Sequence, residues 1–239
     1  MLGRFHEISI ETADIADSVA FYEKLGFSHC GTTDTWLHPY GVMTDGKIFI
    51  GLHQYKFPSP TLTYVHPGVE QHAHVIEKLG IELAWKRVGE EVFNEFGFLD
   101  PSGQAVRIQE AATHFAGDRE NGEPSLCGDF AEYSLPAGEF QALREFWEPL
   151  GFVAMEETDT PYLRMSMTSD YLDLAVHRPR LHDAPMLVFA AADMSERIEK
   201  LRTLGCEFID PLPRGLDARQ NALLQAPEGT ALLLLHSVE

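Results

Sequence analysis

The chain repeats itself, and that one fact constrains its fold more than any other. Phe5-His6-Glu7-Ile8-Ser9-Ile10 matches Phe130-Ala131-Glu132-Tyr133-Ser134-Leu135, and Phe21-Tyr22-Glu23-Lys24-Leu25-Gly26-Phe27 matches Phe146-Trp147-Glu148-Pro149-Leu150-Gly151-Phe152, both 125 residues apart. Leu79-Gly80 and Leu204-Gly205 hold the same spacing, and the Pro-x-Gly turns at Pro101 and Pro227 lie one residue further apart. A repeat of this length is one structural unit used twice, so the halves form similar domains. Each half divides again into a strand, a helix closed by Leu-Gly and further short strands. The helix from Ile15 to Leu25 carries Val19, Tyr22 and Leu25 at three-residue spacing, with Gly26 where a left-handed cap is wanted, and Gly80, Gly151 and Gly205 stop the other three. The predicted fold is α+β: four βαβββ modules paired into two domains, each a curved mixed sheet enclosing a cleft with helices outside. One such unit cannot cover its own concave face and needs a neighbour to close it. The predicted boundaries are residues 1–111, a polar, turn-rich linker over 112–126, and residues 127–239.

Charge narrows the partners. Eighteen Lys and Arg face 37 Asp and Glu, a net −19 that repels a phosphate backbone or an anionic bilayer and favours a cationic small molecule over an anionic one. No basic segment leads into an apolar N-terminal stretch and no apolar run reaches 18 residues. With Cys30, Cys127 and Cys206 widely spaced and odd in number, the expectation is a reduced, cytoplasmic protein, monomer or homodimer, that binds neither nucleic acid nor membrane.

Asp14-Ile15-Ala16-Asp17-Ser18-x-x-Phe21-Tyr22-x-x-Leu25-Gly26-Phe27 and the Asp100-Pro101-Ser102-Gly103 turn resemble the vicinal oxygen chelate superfamily, which includes glyoxalase I, bleomycin-resistance proteins and extradiol dioxygenases. The resemblance runs over nearly the whole chain. It implies clefts that hold one divalent ion between a first-strand and a last-strand ligand, the ion chelating two adjacent substrate oxygens. The first-strand ligand positions fall here on Glu7, Thr61, Glu132 and Met186. The last-strand positions fall on Arg107 and Leu233, with Gly51 and Ala175 in the first and third modules. Most of the ligand set is replaced.

Strand alternation puts residues two apart on one face, which adds His53, His177, Thr63 and Gln109 to the interiors. The first cleft is then polar, with Glu7, His53, Thr61, Thr63, Arg107 and Gln109, while the second, with Glu132, His177, Met186, Val188, Leu233 and Leu235, is mostly apolar. A lone buried carboxylate needs a cation or a proton. Arg107 is the expected ion-pair partner of Glu7, and His177 or Arg164 that of Glu132. No cofactor is expected, with a divalent ion at Glu132 and His177 as the alternative. The leading expectation is a glyoxalase- or bleomycin-resistance-like protein that binds a small organic molecule and carries a degenerate metal site. Glu7 or Glu132 would be its base, His53 or His177 its acid, and Arg107, Gln109, Thr61 and Thr63 its ligand contacts. Trp36, Tyr40, Phe93 and Tyr162 are candidate pocket walls. The competing expectation is a metal-dependent lyase, isomerase or dioxygenase, with Glu110 or His236 entering a cleft if a last strand slips by one residue. His72 and His74 are expected on a solvated helix face, and His29, His38 and His66 in loops or strand ends without a role.

Overall fold

A computed structural model describes residues 1–115, 125–210, 212–213 and 215–237. Residues 116–124 of the expected linker lie outside the described residues. Eight strands come from the first half: β1 (Arg4–Glu11), β2 (Ser28–Cys30), β3 (Tyr40–Thr44), β4 (Phe49–His53), β5 (Thr61–Val65), β6 (Leu83–Arg87), β7 (Glu95–Leu99) and β8 (Ala105–Gln109). Seven come from the second: β9 (Asp129–Pro136), β10 (Val153–Ala154), β11 (Arg164–Thr168), β12 (Leu174–His177), β13 (Met186–Ala191), β14 (Ala222–Gln225) and β15 (Ala231–His236). The helices are α1 (Ile15–Lys24), α2 (Val69–Lys78), α3 (Phe140–Trp147) and α4 (Met194–Thr203).

Two mixed, open sheets result, ordered β2-β3-β4-β1-β5-β8-β7-β6 and β10-β11-β12-β9-β13-β15-β14. Within each module the first strand runs parallel to the last, as β1 with β4 and β5 with β8, and two first strands join the modules antiparallel, β1 with β5 and β9 with β13. The fourth module departs from the predicted βαβββ: where the second has β6, it keeps only an isolated bridge from Phe208 to Leu224.

Three helices close at the Leu-Gly that the sequence predicts, while α3 gives way to a short 3-10 turn, Glu148–Leu150, before Gly151. Asp14 caps α1 by accepting from the Ala16 and Asp17 amides, and the chain leaves α1 and α2 through Gly26 and Gly80 at φ +87° and +82°, which a side chain would oppose. Alternation then sorts β1: Ile8 and Ile10 join one core that spans both halves, and Glu7 and Ser9 face the cleft. Phe27 against Phe189 and Phe98 against Phe146 stitch that core across the halves. Among the described residues no helix is long and apolar enough to cross a membrane.

Each domain also grips the other's first helix. The Trp147 indole N–H donates to Asp100 in the turn before β8, and in the pseudo-equivalent place Tyr22 and Ser18 donate to Glu228 in the turn before β15. Tyr22 and Trp147 are themselves repeat-related and fully buried.

Candidate active site

The two clefts differ: the second is apolar on one module and polar on the other. On the second sheet, Met186, Val188, Leu223, Leu233 and Leu235 pack into an apolar cluster with Tyr162, roofed by Leu181, Ile209, Leu212 and Leu216. Met186 and Leu233, at family ligand positions, are fully buried in it. The polar residues of this cleft stand on the other module. Glu132 bonds Arg164 at 3.1 Å and Ser166 at 3.0 Å, which answers the expected choice of partner in favour of Arg164. His177 instead bonds Ser134 through Nδ1 and the His182 carbonyl through Nε2. Burial raises the Glu132 carboxyl, with Arg164 and Ser166 opposing, and burial lowers His177 to about 4.

The first cleft converges on Glu7, which is 1% exposed. Its Oε1 accepts from Ser9 at 2.7 Å and lies 3.1 Å from His53 Nε2, and its Oε2 accepts from Tyr40 at 2.6 Å. Burial alone would raise this carboxyl. The His53 hydrogen bond and the surrounding imidazoles instead hold it well below the usual carboxylate range. Arg107 is not its partner: the guanidinium turns to Glu95, 3.3 Å away on β7, and lies over the rings of Trp36 and Phe57. Glu7 is reached by donors from its own module, so the predicted Glu7–Arg107 pair does not form.

The other predicted contacts share the cleft face but not one network. Thr63 bonds Ser9 at 2.7 Å, Thr61 turns to the Pro58 carbonyl, and Gln109 donates to the Ala111 carbonyl. Tyr40 reaches the centre, and Trp36 and Phe93 pack edge to face above it. His38 has a place that the sequence did not suggest, with its Nε2 2.9 Å from His53 Nδ1. If His53 donates from Nε2 to Glu7, its Nδ1 lone pair accepts the His38 N–H, a tautomer assigned from the network. His72 also departs from expectation: it is buried, stacked on His66 at 3.9 Å, while His74 stays at the surface beside Glu77.

Three further residues complete the centre. The β1–β5 register shifts between Phe5 and Glu7, leaving His6 as an extra residue, so it escapes strict alternation and is buried beside Glu7. Its Nε2 accepts the Thr113 amide at 3.1 Å, and Thr113 also bonds Tyr40. His114 stacks on His6 at 3.9 Å, stands 3.7 Å from Glu7 Oε2, and neither of its ring nitrogens makes a hydrogen bond of good geometry. Burial lowers His6 to about 4 and lowers His114 as well, with Glu7 opposing both shifts. His6, Glu7 and His114 form the potential metal-holding group found among the described residues, with donor atoms all within 4.8 Å of one another.

Two imidazoles and one carboxylate are a donor set that suits a divalent first-row metal. Metal–donor bonds of about 2.1 Å place ligand atoms about 3–4 Å apart, so the group needs only a small contraction. His114 offers unbonded nitrogens, His6 already accepts from Thr113 through Nε2, and one ring must turn out of the stack for both imidazoles to face one ion. Residue types and spacing therefore fit a metal, at the cost of that rearrangement. Sequence reading missed His6 because alternation points it away from Glu7, and missed His114 because it lies in the stretch read as linker. The available signal was the repeat itself, which places Ala131 opposite His6.

The sequence matches no family profile and no curated protein. Solved structures do resemble it. Catechol 2,3-dioxygenase aligns over 99% of this chain and 88% of its own, with a TM-score of 0.60 at 11% identity. A variant of homoprotocatechuate 2,3-dioxygenase from Brevibacterium fuscum aligns over 99% and 72%, with 0.64 at 16% identity. The Arthrobacter globiformis enzyme aligns over 98% and 80%, with 0.61 at 17% identity. At such identities the likeness is one of fold, and it supports placing the chain with the vicinal oxygen chelate architecture that the motifs suggested.

Proposed function

We propose that this protein is an enzyme of the vicinal oxygen chelate kind, a dioxygenase, lyase or isomerase, that acts on a small organic molecule with a divalent metal held in its first domain by His6, Glu7 and His114. The convergence of those three buried side chains carries the reading, and the extradiol dioxygenase likeness supports it over a purely sequestering, bleomycin-resistance-like role. A bound ion would act as a Lewis acid on two adjacent substrate oxygens. Ser9, Tyr40 and His53 hold the Glu7 carboxylate ionised and fixed in direction. Arg107 lies over the Trp36 and Phe57 rings and is ion-paired to Glu95, so it leaves Glu7 free of a competing cation. Elemental analysis of protein purified without chelators or affinity tag is expected to find near-stoichiometric zinc, iron, manganese or nickel, lost in both Glu7→Gln and His114→Ala. Metal absent from the wild type, or retained by both variants, overturns the reading.

The three donors already on Glu7 favour a second reading, metal-free acid–base chemistry with Glu7 and His53 as the working pair and His38 behind them. Turnover that survives exhaustive chelation but not His53→Gln would select it.

A further inference from the structure

At the rim of the second cleft lies a groove of about 690 Å³, of a size that takes a small organic molecule, between the Asp159–Leu163 and Arg178–Leu181 segments and reaching Gly215. Its floor is the Tyr162 ring and Leu181, which belong to the apolar cluster over Met186 and Leu233, and Leu163 is 39% exposed along one wall. Its polar side is basic, against the charge of the whole chain. Arg178 and Arg180 line it, with Asp159 the acid on the described rim. Arg178 lies over the Phe140 ring at 4.5 Å, and neither arginine is ion-paired among the described residues. The buried Tyr162 hydroxyl is served from within the cleft by Arg164 and Ser134, which oppose the rise that burial gives it, and it is not one of the ligand contacts.

We infer that this groove binds a carboxylate with an apolar body, the carboxylate taken by Arg178 and Arg180 and the body laid across Tyr162, Leu163 and Leu181. Guanidinium groups bind carboxylates through paired N–H donors, and neither Arg178 nor Arg180 is neutralised by a carboxylate among the described residues. The site is separate from the Glu7 centre and takes no metal, so it stands or falls independently of the proposed function.

The test is isothermal titration calorimetry of decanoate into the full chain with EDTA present throughout, with decyltrimethylammonium as the charge-reversed control. One-to-one binding of decanoate is expected, weakened at least fivefold by Arg178→Gln/Arg180→Gln, about threefold by Arg180→Gln alone, and progressively by added salt, with no heat from the cation. Arg180 is exposed, so its single variant keeps the test valid if the double variant is unstable. Absence of decanoate binding at millimolar concentration, equal affinity in Arg180→Gln, or equal binding of decyltrimethylammonium overturns the inference.

Discussion

A Cβ built on Gly51 would stand 2.2 Å from Glu7 Oε1 and 2.3 Å from its carboxyl carbon. The Glu7 carboxylate therefore lies flat over β4, and only glycine leaves it room. At the matching place in the second half, Ala175 has its Cβ, and Glu132 is held by Arg164 and Ser166 on β11. One methyl group thus accompanies two different partnerships for repeat-related glutamates. Gly51→Ala is expected to displace the Glu7 carboxylate and to lower stability by about 1–3 kcal/mol, as overpacking does in a filled interior. Urea denaturation measures the loss, and metal content should fall with it. That Glu7 and His53 share the cleft face was legible in the sequence from strand alternation, but the expected partner of Glu7 was Arg107, and the contact with His53 was not foreseen. Tyr40, Ser9 and His114 were not recognised as its neighbours, since their approach depends on how a loop and three strands pack.

Strand β1 shows how one irregularity in an element changes a site. Its register shift at His6 recurs in β9, where Ala131 is the extra residue between Phe130 and Glu132. The bulge is inherited by both halves, but only the first fills it with an imidazole. Helices and turns contribute at the same scale, because the turn before the last strand of each half bonds the first helix of the other. Tyr22→Phe removes a buried donor and leaves the Glu228 carboxylate short of a partner. It is expected to cost about 1–3 kcal/mol in chemical denaturation while leaving metal content unchanged. Helix ends, turns and the two sheets were readable from periodicity and glycine placement. That the fourth module keeps, among its described residues, only an isolated bridge at Phe208 where the second has β6 was not.

At the scale of the whole molecule, buried histidines couple stability to pH. His72 and His177, away from the proposed metal group, are held at about 4 in the folded chain, chiefly by burial, against 6.5 for an ordinary imidazole. Between those values the unfolded chain binds protons that the folded chain refuses, so stability falls as pH drops from 6.5 towards 4. Glu132, with its carboxyl raised by burial, opposes this with stability present in acid that is lost as pH rises. Thermal melts from pH 7 to 4 should show the net decline, and His72→Phe, packed on His66 and Phe96, should flatten it. A melting temperature that is flat or rises towards pH 4 would contradict the burial of these imidazoles.

By itself the sequence determined the duplication, the order of elements in three of the four modules, the glycines that close the helices and which cleft would be the more polar. Those depend on local periodicity, on glycine at positive φ and on side-chain alternation, all of which short segments carry within themselves. Only the tertiary structure decided that Arg107 turns to Glu95, that His6 and His114 stack beside Glu7, and that His38 extends the line from His53. A hydrogen-bond partner is chosen by distance and by competition among donors brought together from remote segments, and a one-residue bulge is enough to change which of them meet.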